Sequence, residues 1–237
     1  MIAEVSRRDP SVKAETDGEA ALVRENGDWT TVTHPYHLYR QHPRALDSLV
    51  EQAANFFFDK PVSATPEGLV VVVRSTDSSA EDYQANDRGL ARPILGNLIA
   101  IAVMDTPERS AFLRASVLRN QLGMDDAAIW ARALGNLRTR VKMVPPILEP
   151  GRVATLATKV GLASSLLADD AFWNHSNLAG AGDLVVSPIE LDKLIVAKVS
   201  EGELIQTLRR VAEGYRTANF LSDRLLLRRN GVWEEFE

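Results

Sequence analysis

The 237-residue chain has no cysteine. That excludes disulfides, thiolate nucleophiles, iron–sulfur clusters and every zinc site that needs sulfur ligands. Long apolar runs are missing too. The longest, Ile94 to Met104, is broken by Gly96 and Asn97 and is about half of the roughly 20 residues a membrane-spanning helix requires, so neither a transmembrane segment nor a membrane partner is expected. Positive charge is not in excess. Lys+Arg number 27 against 32 Asp+Glu, a net charge of -5, which disfavours the broad phosphate neutralisation that nonspecific nucleic-acid binding depends on. The N-terminus, Met1-Ile2-Ala3-Glu4-Val5-Ser6-Arg7-Arg8-Asp9-Pro10, puts charge where a signal peptide would place its apolar core, so a cytoplasmic location is expected. What remains is ordinary: 45% hydrophobic and 25% charged residues suit a globular protein long enough to bury a full core.

Alternating apolar residues flank Asn26-Gly27 over residues 21–32, the strongest short-range hairpin signal. The C-terminus repeats the design around Asn230-Gly231 between Leu225-Leu226-Leu227 and Val232-Trp233, and Trp29 and Trp233 are expected to pack on a core. Ala45, Leu46, Leu49, Val50, Ala53, Ala54 and Phe57 recur at helical spacing. Gly68 to Arg74 reads as a strand apolar on both faces and therefore central. Ser75 to Gly89 has almost no apolar residues and reads as a loop or linker. Ile94 to Met104 reads as one strand. Pro107 to Leu122 is either one helix or a strand at Ala111–Arg114 followed by a helix that Ser116 caps and that ends at Gly123. Asp125 caps a helix from Asp126 to Val141, with a buried stripe of Ile129, Trp130, Ala133, Leu134, Leu137 and Val141. Val144-Pro145-Pro146-Ile147-Leu148-Glu149-Pro150-Gly151 cannot be helical and forms an extended connector. A strand at Val153–Val160, a helix from about Ala163 to Trp173, and a hairpin of Asp183–Pro188 with Leu194–Val199 come next. Ser200-Glu201-Gly202-Glu203 then opens a helix with an apolar face of Leu204, Ile205, Leu208, Val211, Ala212 and Tyr215.

The reading is an α+β fold of largely antiparallel strand pairs alternating with helices, with two similar α/β halves as an open alternative. Residues 1–74 form a hairpin, helix and strand unit, 75–90 a loop or linker, and 91–237 the main region, with packing of all three as one domain the alternative. Three stretches carry a family resemblance. They are Gly96-Asn97-Leu98 through Asp105 to Ala133-Leu134-Gly135-Asn136-Leu137; Ala163-Ser164-Ser165-Leu166-Leu167 with Trp173; and Gly182-Asp183-Leu184-Val185-Val186 with Asp192. In that order they resemble the YtpQ-like family of bacterial proteins from about Tyr36 to the C-terminus. Gly135 stands where the family usually has an acidic residue. The resemblance implies the fold, favours the strand at 111–114, and brings no catalytic residue with it.

Few residues point to chemistry. His34, His37 and His42 lie within nine residues, and the first two could share a helix face as metal ligands do. With no carboxylate before Asp47, solvated histidines at a helix entry are the stronger reading. Asp169, Asp170 and His175 cluster near Trp173, where paired carboxylates could divide acid and base roles, though adjacent aspartates ending a helix are usually surface groups. Asp105 follows a buried strand, a position that can present a catalytic carboxylate, yet Asp-Thr-Pro is also ordinary turn chemistry. Gly180-Ala181-Gly182-Asp183 lacks the Lys and Ser/Thr of a phosphate loop and precedes a strand. No cofactor is expected. The composition favours a non-catalytic protein-binding factor of accessory, regulatory or immunity type, its acidic surface suited to a basic partner. Its rivals are a hydrolase using Asp105, Asp169, Asp170 and His175, and a homo-oligomer whose edge strands pair.

Overall fold

The computed structural model describes residues 13–15, 21–23, 28–31, 62–76, 80–106, 110–158, 160–214, 217 and 220–236. The expected helix over 45–57 and His34, His37 and His42 lie outside them. Among the described residues the fold is α+β, with two antiparallel sheets. The first runs β1 (Lys13–Glu15), β2 (Ala21–Val23), β3 (Asp28–Thr31), β7 (Ser110–Leu113), β6 (Leu98–Asp105), β4 (Leu69–Ser75), with β5 (Leu90–Leu95) also pairing β6. The second has the order β12 (Val232–Glu235), β11 (Leu226–Arg229), β9 (Leu184–Glu190), β10 (Lys193–Lys198), β8 (Ala154–Ala157).

The strands of both expected hairpins pair. Val23 pairs Trp29 in the first, and Arg229 pairs Val232 in the second. In the second turn Asn230 and Gly231 adopt φ of 49° and 79°, the pair of positive values a type I′ turn demands. The apolar run at 94–104 is not one strand. It folds at Gly96-Asn97 so that Leu95 pairs Leu98, with Gly96 alone at positive φ, 58°, as a II′ turn requires of its first central residue. Strand β7 at Ser110–Leu113 resolves the ambiguity at 107–122 in favour of strand then helix.

Strand β4 pairs β6 along its whole length, Leu69 with Met104 through Ser75 with Leu98, so the chain on both sides of residues 75–90 enters one sheet. That segment, read as structureless, holds helix α1 (Ala80–Ala85), whose Ala80 and Tyr83 are buried. Two apolar contacts sufficed where the periodicity was too short to register. Strand β4 ends the sheet rather than sitting inside it. The even-numbered residues flanking it, Gly68 and Thr76, bond Asp105 of β6 and Asn97 just before it, which turns the carbonyls of Leu69, Val71 and Val73 outward. Helix α3 (Asp126–Val141) covers that edge: the Asn136 amide donates to the carbonyls of Pro66 at 2.7 Å and Leu69 at 2.8 Å. Both faces of β4 are buried because its residues alternate between two core clusters.

The larger cluster unites both sheets. Leu69, Val71 and Leu98 of the first sheet join Val186, Val196 and Leu226 of the second, with Ile129, Trp130 and Ala133 of α3. Asp125 caps α3 as expected, accepting from the Ala128 N–H at 2.8 Å. Helix α2 (Ala115–Leu122) is capped differently. Ser116 does not cap it; Asp87, itself at φ 50°, accepts from the Ser116 N–H at 2.9 Å and from its hydroxyl. The helix expected from Ala163 to Trp173 is a 3₁₀ turn at Ser164–Ala168 and a short α4 (Asp170–Trp173), split where Asp169 leaves helical geometry. A four-residue α5 (Ser176–Ala179) follows. Helix α6 (Gly202–Gly214) buries Ile205, Leu208 and Ala212, and the first two pack with Val185 and Ala197 of the second sheet and with Leu225 just before β11, while Val211 stays exposed.

Candidate functional site

The three aspartates singled out by sequence are each held by a different arginine. Asp105, at the end of β6, pairs with Arg140 of α3 and accepts from the Ser110 hydroxyl at 2.6 Å. Asp169 is 1% exposed and receives Arg138, two residues earlier on the same helix, in a bidentate grip of 2.8 and 2.6 Å. The same carboxylate caps α4 through the Ala171 N–H at 3.2 Å. Its hydrogen bond holds the Arg138 guanidinium above the usual arginine range. Asp170 turns the other way, toward Arg228 at 2.6 Å. His175 is exposed and caps α5, its Nδ1 accepting from the Asn177 N–H at 3.2 Å.

A general acid or base must reach substrate with a free lone pair or proton. Asp169 is buried with both oxygens held by the Arg138 fork, which fixes its geometry, whereas Asp170 meets Arg228 through one oxygen and is 73% exposed. Arg228, 7% exposed, also lies over the Trp233 ring at 5.0 Å. Trp233 meets Trp173 edge to face at 5.1 Å, and the two indole N–H groups bond the carbonyls of Leu167 at 3.1 Å and Leu166 at 2.7 Å. The expectation that Trp233 packs on a core holds for this reason. Among the described residues no group of three His, Asp or Glu is placed to bind a metal.

The surface feature that sequence reasoning passed over is the connector after α3. Proline fixes φ of Pro145, Pro146 and Pro150, and each preceding residue is pushed to extended geometry, so much of 144–150 is confined to polyproline II or β conformations. Burial then repeats every three residues. Pro145 and Leu148 face inward, while Val144 and Ile147 project at 72% and 75% exposure. Three residues per turn is the polyproline II period. The strap is pinned: Asn177 donates to the Pro145 carbonyl at 2.7 Å, Leu148 joins the core, and the Gly151 N–H binds Glu201 at 3.0 Å. The signal was present in the spacing of Val144 and Ile147 against Pro145 and Leu148.

No family model, no curated protein and no solved structure matches the chain.

Proposed function

We propose that the protein is a non-catalytic binding factor that presents the 144–150 strap to another protein, in an accessory, regulatory or immunity-type role. The supporting observation is the pair Val144 and Ile147. They are the most exposed large apolar side chains in the described structure, and they sit on one face of a segment whose other face is anchored. A preformed extended peptide loses little entropy on binding, and polyproline II ligands dock apolar, aromatic-lined grooves. The partner is therefore a protein with such a groove. The burial of Asp169 behind the Arg138 fork weighs against the hydrolase reading. Membership of the YtpQ-like family and a cytoplasmic location belong to this proposal and rest on the sequence motifs and the charged N-terminus.

The test is affinity capture from the native cell of the tagged chain beside the double variant V144S/I147S, with both shown to fold by circular dichroism. A stoichiometric protein captured by the first and lost from the second is expected. A partner held equally by both would move the binding surface elsewhere, and recovery of the chain alone would remove the binding reading.

A further inference from the structure

We infer that strand β8 is a self-association edge, and that two copies of this chain pair β8 antiparallel about a dyad at Thr155. The inference is independent of the strap. The backbone supplies the first step. The Thr158 N–H bonds the Asp192 carbonyl at 3.4 Å, and Leu156 pairs Leu194. Even-numbered residues of β8 therefore spend their N–H and C=O groups on β10, and the odd-numbered ones turn theirs outward. Thr155 and Ala157 are exposed, and among the described residues neither directs a backbone group to a partner.

The other sheet ends are protected. Strand β1 carries Lys13 and Glu15, β5 carries Arg92 and Pro93, β12 carries Glu234 and Glu235, and β4 is covered by α3 through Asn136. Charges and covering elements are how proteins blunt such edges. Strand β8, Ala154-Thr155-Leu156-Ala157, has no charge and no proline, so nothing on it opposes a second strand.

What covers it follows from the pattern of the strand. A dyad at Thr155 sets Thr155 against Thr155 and Val153 against Ala157. That covers the exposed Val153 and forms about six backbone hydrogen bonds, two for each facing pair. The two five-stranded sheets then become one continuous sheet across the dimer. A contact this narrow falls below the ~1,200 Å² of stable complexes, so the dimer exchanges with monomer.

Sedimentation velocity across roughly micromolar to millimolar protein, the range a narrow contact implies, reads the mass directly. The expected result is a shift from the 26.1 kDa chain to twice that mass with rising concentration. Thr155→Pro removes only the outward N–H and no bond to β10, and it should weaken association by roughly tenfold or more. Thr155→Lys should do the same through charge and stands in if the proline variant fails to fold. Because the chain has no cysteine, T155C under mild oxidation should cross-link within the dimer, and T207C on exposed α6 should not. A single 26.1 kDa species at every concentration, folded T155K dimerising like wild type, or equal cross-linking by T155C and T207C would each overturn the inference.

Discussion

Replacing Arg138 with Met is the sharpest test of how the candidate carboxylates are held. Asp169 is 1% exposed and receives two guanidinium bonds, at 2.8 and 2.6 Å, plus one backbone cap at 3.2 Å. R138M removes the first two and leaves a buried charge with the cap alone. Breaking a buried pair from one side costs about 3–5 kcal/mol. Arg138 is itself half exposed, so water can enter where it stood, and about 2–3 kcal/mol is expected here. Against a total stability of about 5–15 kcal/mol that is a large loss. For a chain of this length it lowers the melting temperature by roughly 4–12 °C. Urea unfolding followed by tryptophan fluorescence measures it, since Trp173 lies four residues from Asp169. Adding D169N to R138M should recover part of the loss, because no unpaired charge then remains buried. A cost under about 1 kcal/mol, or no recovery in the double variant, would show that the pair is merely a surface contact.

N136A should cost about 1–3 kcal/mol in urea titration by orphaning the Pro66 and Leu69 carbonyls, and should speed amide exchange along the β4 edge; unchanged exchange would count against the covering role. Arg119, by its hydrogen bond, holds the Asp126 carboxyl below its usual range. The stability this pair contributes is therefore full above about pH 4 and is lost as pH falls through the lowered value. The difference between wild type and D126N should be flat at neutral pH and shrink in acid, and a difference that grew there would reverse the assignment. G231A must adopt φ of 79° with a side chain, so it should cost about 1–2 kcal/mol by thermal unfolding, with N230G close to neutral.

Local chemistry made much of this fold legible. Asn230-Gly231 specifies its turn because few other residues tolerate two successive positive φ values, and Asp125 declares the start of α3 because its carboxylate reaches the Ala128 N–H three residues on. Where distant parts of the chain decide, sequence was silent. Asp87 caps α2 from 29 residues away, so Ser116 looked like the cap. Leu95-Gly96-Asn97-Leu98 hid a turn inside an apolar run, because half-buried Ile94 and Leu95 lead into it and the buried β6 follows it, leaving no polar flanks beyond Gly96-Asn97 to mark it. The edge position of β4 was misread for the same reason: α3 buries it as thoroughly as a neighbouring strand would. The arginine partners of the aspartates were hidden because they stand 31, 35 and 58 residues off, and the strap looked inert because its period is neither 2 nor 3.6.

Arg138 and Arg140 have a mechanical meaning. They stand two residues apart on one helix, yet one grips Asp105 at the tip of the first sheet and the other Asp169, beside the tryptophans that dock the terminal hairpin of the second. The last turns of α3 thus act as a rivet through both layers. Hinge motion between the sheets would have to shear two charge-assisted contacts together, so a pulling experiment that separates the layers should show one rupture event, and R138M should lower its force without splitting it.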